Sequence, residues 1–341
     1  MNRAWLLLIV LLPAFFPAQA QDSTEWAFRD SLIVLHFEAD RYEKALELLY
    51  DHLTYLEATD QTDSLYLYAY KIARSEWKVN GPEAGIRRME DLVDGIERTD
   101  PDTTHILIAV NDLSWIYWET GRPEKCIEAD TRYLELCDRY SKSTVSMRSQ
   151  ALYNLGFDYL SLGKGNLAVE YFRRALEPLA EDDFSAVNRT VETYNALGAA
   201  LFRIGDLEGA KAAYHSSLQH IPRIEVESKI NGNLANCYNN LALIAESVGD
   251  LITARDYYEK MIKTRILAAN EAIEVWDRDH QRRLLLSGYR NLSAAYITMG
   301  DYSRAKKLID LRDEIKSQVL EPEDPYNWHD QELRGMLNLL I

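Results

Sequence analysis

The sequence predicts an all-α protein: a right-handed α-solenoid of about seven helix-turn-helix repeats, followed by a C-terminal capping helix. Apolar residues recur at i, i+3 and i+4 along most of the chain, as on one face of a helix, and strand-like alternation is scarce. Gly and Pro, which interrupt helices, number only 15 and 9 among 341 residues. A short Gly-Asp phrase returns at nearly constant intervals, which indicates a repeat.

The first 20 residues are expected to be a signal peptide. A basic start, Met1-Asn2-Arg3, precedes an apolar run over residues 4–12, and Ala18-Gln19-Ala20 gives small residues at the spacing that a signal peptidase reads. We expect cleavage after Ala20 and an exported product, periplasmic or secreted. An uncleaved membrane anchor is the alternative, but the apolar run is short for a span.

The net charge of the protein limits its partners. The formal charge is −16, and loss of Arg3 with the signal peptide takes it to −17. Because an acidic surface repels phosphate groups, we expect no nucleic-acid partner and no docking on anionic lipid. No later apolar stretch is long enough to cross a bilayer, so no membrane span is expected after cleavage.

The repeat is visible as a turn phrase such as Gly-Asp-Leu-Glu-Gly-Ala, which begins at Gly205. The spacings between successive copies are 40, 41, 42, 42, 44 and 51 residues. The copies begin, with decreasing clarity towards the N-terminus, at Asp40, Asn80, Gly121, Gly163, Gly205, Gly249 and Gly300.

Each turn lies in the same frame of side chains. A mostly small residue such as Gly198 comes seven before it, a small residue comes five after it, and aromatics such as Tyr214 come nine after it. Small residues allow two helices to approach closely, and we expect the aromatics to fill the gap to the next repeat. Gly or Asn can end the first helix in the left-handed conformation, and the following Asp can cap the second.

This frame resembles the tetratricopeptide repeat family over residues 25–318, weakly over 25–105 and clearly over 106–318. The solenoid is assigned to residues 21–320. The period exceeds the family's usual 34 by about seven residues, which is two helical turns. The protein therefore looks like the longer repeats of kinesin light chains and of exported bacterial regulatory proteins. The resemblance implies a concave groove lined by the first helix of each pair, which binds protein or an extended peptide.

The groove-facing positions are expected to form an Asn ladder, which could clamp a peptide backbone, and an aromatic stripe, which could take apolar side chains. Asn154, Asn240 and Asn291 lie nine before their turns, where relatives contact peptide, whereas Asn111 and Asn195 lie one position off. Packing between helices is the alternative for both sets. The candidate residues are Asn111, Trp115, Trp118, Tyr153, Asn154, Phe157, Asn195, Phe202, Asn239, Asn240, Arg290 and Asn291.

No catalytic motif, metal-ligand spacing or phosphate loop is present, so we expect no enzymatic activity, no cofactor and no metal. Cys126 and Cys137 lie eleven residues apart on one predicted helix, about 16 Å, and cannot form a disulfide. We interpret these thiols and Cys237 as buried small hydrophobes.

Residues 321–341 are apolar at their end and form either the cap of the solenoid or the start of a missing segment. Three functions follow. The first is a non-catalytic scaffold for protein or peptide. The second is the sensory array of a larger bacterial signalling protein or of one with a caspase-like (CHAT) peptidase domain. The third is an envelope protein that self-assembles as a homo-oligomer through its C-terminus.

Overall fold

The computed structural model describes residues 29–37, 40–58, 62–99, 104–140, 144–177, 179, 187–224, 227–272 and 275–319. Within these ranges the protein is helical between short turns and has no strand, which confirms the predicted all-α class and its stacked helix pairs. The predicted signal peptide, residues 1–20, and the C-terminal segment, residues 321–341, lie outside them. The helices are α1 (29–37), α2 (Tyr42–Ala58), α3 (Thr62–Asn80), α4 (Pro82–Thr99), α5 (Thr104–Glu119), α6 (Pro123–Arg139), α7 (Val145–Ser161), α8 (Gly165–Leu176), α9 (Val187–Arg203), α10 (Leu207–His220), α11 (Glu227–Ser247), α12 (Leu251–Glu271), α13 (Val275–Thr298) and α14 (Tyr302–Val319).

The protein divides into two compact units, residues 1–143 and 144–341. Helices α1 to α6 belong to the first unit, and helices α7 to α14 belong to the second. Within each unit, helices that follow one another in sequence pack together, as expected for helices joined by short turns.

A residue in the left-handed conformation stands at each predicted turn, because the backbone must reverse there within a few residues. In the second turn this residue is Gly81, with φ 93°, and not Asn80 as the sequence indicated. Asn80 instead remains the last residue of α3 and donates its Nδ2 to Glu76 Oε2 at 2.5 Å. The left-handed residues are Asp40, Gly81, Gly121, Gly163, Gly205, Gly249 and Gly300.

The Asp after the turn caps the second helix in the three clearest copies, as predicted. Asp206 Oδ1 accepts from the backbone N–H of Gly209 at 2.9 Å. Asp250 and Asp301 accept in the same way from residues three positions on, both at 3.1 Å. These contacts satisfy N–H groups that a helix start leaves without an intrahelical partner, so the Gly-Asp phrase specifies both the end of one helix and the start of the next.

Small residues and aromatics pack within the same repeat, which differs in part from the expected role of the aromatics. A Cβ added to Gly156 of α7 would lie 2.7 Å from the ring of Phe172 on α8. Gly198 of α9 and Tyr214 of α10 repeat this relationship at the same 2.7 Å. The aromatic therefore fills the space left by the small residue of its own helix pair, and it also joins the core shared with the next pair.

In the second unit, the first helices of successive pairs contact one another. Helix α9 packs against both α7 and α11, and α11 also packs against α13. The second helices pack on their flanking first helices, and contacts between one second helix and the next are sparser. The first helices thus form the closely spaced layer, which is the layer that lines the inner side of a solenoid.

Candidate functional site

Four Asn residues of the second unit line a cavity of about 180 Å³. It lies among α9, α11, α12 and α13. Three predicted ladder residues line it, and so does one arginine from a second helix. Its lining residues are Asn195, Asn236, Asn239, Asn240, Met261, Arg265, Leu284 and Ser287.

Long hydrogen bonds connect Asn residues of the ladder with one another and with Arg290. Asn291 Nδ2 donates to Asn239 Oδ1 at 3.5 Å, between α13 and α11, and Asn239 Nδ2 donates to Asn240 Oδ1 at 3.4 Å. Arg290 Nε donates to Asn291 Oδ1, also at 3.4 Å. Contacts of this length are at the outer limit of hydrogen bonding, so they hold the amides weakly.

Two amide donors at the cavity are unused by the described part of the protein. Asn195 Oδ1 accepts from the thiol of Cys237 at 3.0 Å, and Asn240 Oδ1 accepts from Asn239, but neither Nδ2 donates to a described residue. Burial raises the pKa of Cys237 to about 11, so the thiol is protonated and can act as this donor at neutral pH. Both Asn side chains are half-buried and line the cavity, so a ligand in the cavity could reach their amides.

Arg265 is the charged group of this site, and the sequence did not single it out. Its side chain is only 3% exposed. Its Nη1 donates to Gln281 Oε1 at 2.7 Å and its Nη2 to Asn236 Oδ1 at 2.6 Å, while its Nε has no hydrogen-bond partner among the described residues. Burial lowers the pKa of Arg265 to about 10, which still leaves the guanidinium charged at neutral pH.

Helix α12 explains how an arginine comes to be buried there. Its inward face carries Tyr258, Met261, Ile262 and Arg265, at positions i, i+3, i+4 and i+7. Arg265 therefore occupies a position that the helical periodicity reserves for apolar residues. That spacing is the signal that could have identified it from the sequence.

The remaining predicted residues of the second unit divide into packed and exposed ones. Tyr153 packs on Phe172, with ring centroids 5.6 Å apart, and Phe202 packs against the buried core. Asn154 Oδ1 accepts from Gln150 Nε2 at 2.5 Å on its own helix. Phe157 is 38% exposed. The aromatic stripe is thus not uniform, since two of its members serve the core and one faces outward.

The first unit carries its own group of predicted residues on α5. Trp115 and Trp118 are exposed and contact each other edge to face, with centroids 5.7 Å apart. The side chain of Asn111 hydrogen-bonds to Asp112, whose pKa burial raises to about 6. This surface offers exposed aromatic area.

Two segments match family models described as tetratricopeptide repeat. They are residues 149–177, which contain most of the α7–α8 pair, and residues 234–280, which reach from α11 into α13. The protein therefore contains tetratricopeptide repeats in its second unit. A comparison with curated protein sequences gives no match.

Solved structures share the fold at low sequence identity. The apo form of RapI matches with a TM-score of 0.63 and 13% identity, over 92% of this protein and 81% of that one. BtubC (BKLC) from P. vanneervenii matches with a TM-score of 0.58 and 19% identity, over 71% of this protein and 92% of that one. A Rap protein complexed with Competence and Sporulation Factor gives a TM-score of 0.54 at 14% identity, over 87% and 76% of the two proteins. At these identities the likeness shows the fold alone.

The described helices lack two further kinds of feature. No group of three or more His, Cys, Asp or Glu side chains there could hold a metal ion. Nor is any described helix both long enough and apolar enough to cross a bilayer.

Proposed function

We propose that this protein is a protein-binding scaffold that holds an extended segment of its partner along the first helices of its second unit. The cavity lined by Asn195, Asn239 and Asn240 supports this proposal most directly, because it joins unused amide donors to a recess on the closely spaced helix layer. Amide side chains can bind the peptide backbone, which every protein segment offers whatever its sequence.

The fold supports the same function. Tetratricopeptide repeats are binding modules whose stacked pairs leave an extended surface for a partner. The Rap protein of similar fold was solved in complex with the Competence and Sporulation Factor, so this architecture can hold a partner. We further propose that the protein is exported and meets its partner outside the cytoplasm, as its first 20 residues suggest. We propose no catalytic role.

The test is affinity capture from an extract of the source organism, with the proteins quantified by mass spectrometry. The double variant Asn195→Ala/Asn240→Ala removes both unused donors. Each lost hydrogen bond costs about 1 kcal/mol, so the loss of both should weaken the affinity for the partner roughly thirtyfold. The matched control is Asn270→Ala, an exposed Asn on α12 outside the cavity lining.

Circular dichroism of the three proteins accompanies the capture. The proposal requires the double variant to keep its helicity and lose the partner, while Asn270→Ala keeps both. If all three proteins capture the same partner equally, the cavity is not its binding site. If the double variant loses helicity together with the partner, the ladder is structural and the proposal fails.

A further inference from the structure

The buried guanidinium of Arg265 lacks a counter-charge among the described residues. Its two hydrogen-bond partners, Asn236 and Gln281, are neutral, and no described carboxylate forms an ion pair with it. Its pKa is lowered by desolvation alone. An uncompensated buried charge is costly, and burial of a charge is ordinarily accompanied by pairing.

Two described carboxylates of the helices that carry this site, one on α12 and one on α11, are engaged elsewhere. Glu271, also on α12, accepts from Asn231 Nδ2 at 2.6 Å. Glu246 on α11 accepts from the hydroxyl of Tyr258 at 2.7 Å. The other nearby cation, Arg290, donates to Asn291 and adds a second positive charge to this side of the unit.

The cavity beside Arg265 is lined by groups suited to an anion. Asn195 and Asn240 each have an amide N–H₂ that no described residue uses, and amides of this kind donate readily to carboxylate oxygens. The volume of about 180 Å³ corresponds to a few water molecules at roughly 30 Å³ each, which is room for one carboxyl-bearing side chain. Met261 and Leu284 line the same cavity and can contact the aliphatic part of such a side chain.

We propose that this cavity binds one carboxylate of the bound protein segment, with Arg265 as its counter-charge and the amides of Asn195 and Asn240 as further donors. The inference rests on the proposed function, to which it adds the chemistry of the ligand. The carboxylate can come from an Asp or Glu side chain or from the C-terminus of the partner. The protein as a whole carries a formal charge of −16 and therefore repels acidic groups. Arg265 makes this cavity an exception, where an acidic group can bind while other contacts hold the partner in place.

The first test uses acetate as the probe and needs no protein partner. The protein is labelled with ¹⁵N-arginine, and the Arg265 Nε–H resonance is assigned by its absence from Arg265→Lys. Sodium acetate is titrated against sodium chloride at constant ionic strength. We expect a saturable shift of this resonance with acetate. No saturable shift up to 200 mM, taken as roughly the upper range for weak single-contact binding, would overturn the proposal.

Gln281→Glu is the decisive variant, because it gives Arg265 a carboxylate from the protein itself with almost no change of shape. We expect it to raise the melting temperature and to abolish the acetate-induced shift. An undiminished shift in this variant would contradict the proposal. Asn236→Asp, at an exposed position, repeats the test with the other neutral partner and serves if Gln281→Glu fails to fold.

Ala peptides then distinguish the source of the carboxylate. Two have both ends capped and contain either a single Glu or a single Gln, and the third has only a free C-terminus. Competition with acetate by the Glu peptide alone assigns a side-chain carboxylate, and competition by the free C-terminus alone assigns a terminal one. Competition by the Gln peptide as strongly as by the others would refute recognition of a carboxylate. Failure of partner capture would remove the proposed function while leaving the acetate result intact.

Discussion

The ring of Tyr214 lies directly over Gly198, so close that a Cβ on the glycine would meet Cε1 and Cζ of the ring at 2.7 Å. Both residues are buried, and they join the two helices of one pair. Because a helix interior ordinarily disfavours Gly by about 1 kcal/mol relative to Ala, this Gly is retained at a cost to local helix stability. The close approach of the ring explains that choice.

Gly198→Ala should therefore lower stability by about 1–2 kcal/mol, since the clash with a stiff ring outweighs the gain in helix propensity. Thermal unfolding followed by circular dichroism measures the effect. The matched control is Gly95→Ala on α4, where an added Cβ would meet nothing within 4 Å. That variant should melt at or above the wild-type temperature. A Gly198→Ala protein as stable as wild type would show that the ring can move aside at little cost.

Much of this packing follows from local sequence, and for that reason it was predictable. A turn that reverses the backbone needs a left-handed residue and a cap, and both requirements fall on the Gly-Asp pair. The one misplaced turn, Asn80 for Gly81, arose because either residue of an Asn-Gly pair can adopt that conformation. The packing of the aromatics was only partly predicted. Whether an aromatic contacts the small residue of its own helix pair or the next pair depends on how the helices pack, which the sequence of one repeat does not specify.

Asp112 provides a pH-dependent contribution to the stability of the first unit. Burial raises the pKa of this carboxyl to about 6, above its ordinary value of about 3.9 in an unfolded protein. The folded state therefore holds the proton more tightly, and the stability contributed by this group falls as the pH rises from about 4 to about 6. Asp112→Asn should remove that decline and raise stability at pH 7 by about 1–2 kcal/mol. The gain is limited to this range because solvent reaches the half-buried side chain and weakens the effect of burial.

Melting temperatures at pH 4.5 and pH 7 check this prediction, with Asp91→Asn, an exposed Asp on α4, as the control. The control should follow the wild type at both pH values. If Asp112→Asn shows the same pH dependence as wild type, the carboxyl is ionised in the folded protein throughout this range.

The three thiols should be inert in the folded protein. Cys126, Cys137 and Cys237 are all buried and outside any disulfide, as predicted, and burial raises the pKa of Cys237 well above its usual range. Because the thiolate is the reactive form, iodoacetamide at pH 8 should label none of them until denaturant is added. Mass spectrometry before and after unfolding counts the labelled sites. Rapid labelling of the native protein would show that a thiol is accessible.

The candidate site was only half predictable. The Asn ladder could be found because Asn is a mediocre helix former and recurs nine or ten positions before the turn in successive repeats. Arg265 was missed because it stands near Lys263 and resembles part of a solvated face, although its helical spacing from Tyr258 indicates a buried position. Its burial depends on the packing of α11 and α13 against α12. This packing joins neighbouring repeats, so the sequence of one repeat does not reveal it. Whether the ladder binds a partner or serves packing remains a prediction.

We expect the partner to lie on the first helices of the second unit. Hydrogen–deuterium exchange of this protein, alone and with the captured partner, measures this most directly. Slower exchange on binding should concentrate in α9, α11 and α13, with little change in the second helices α10 and α14. Protection confined to α10 and α14, with the first helices unchanged, would contradict the account.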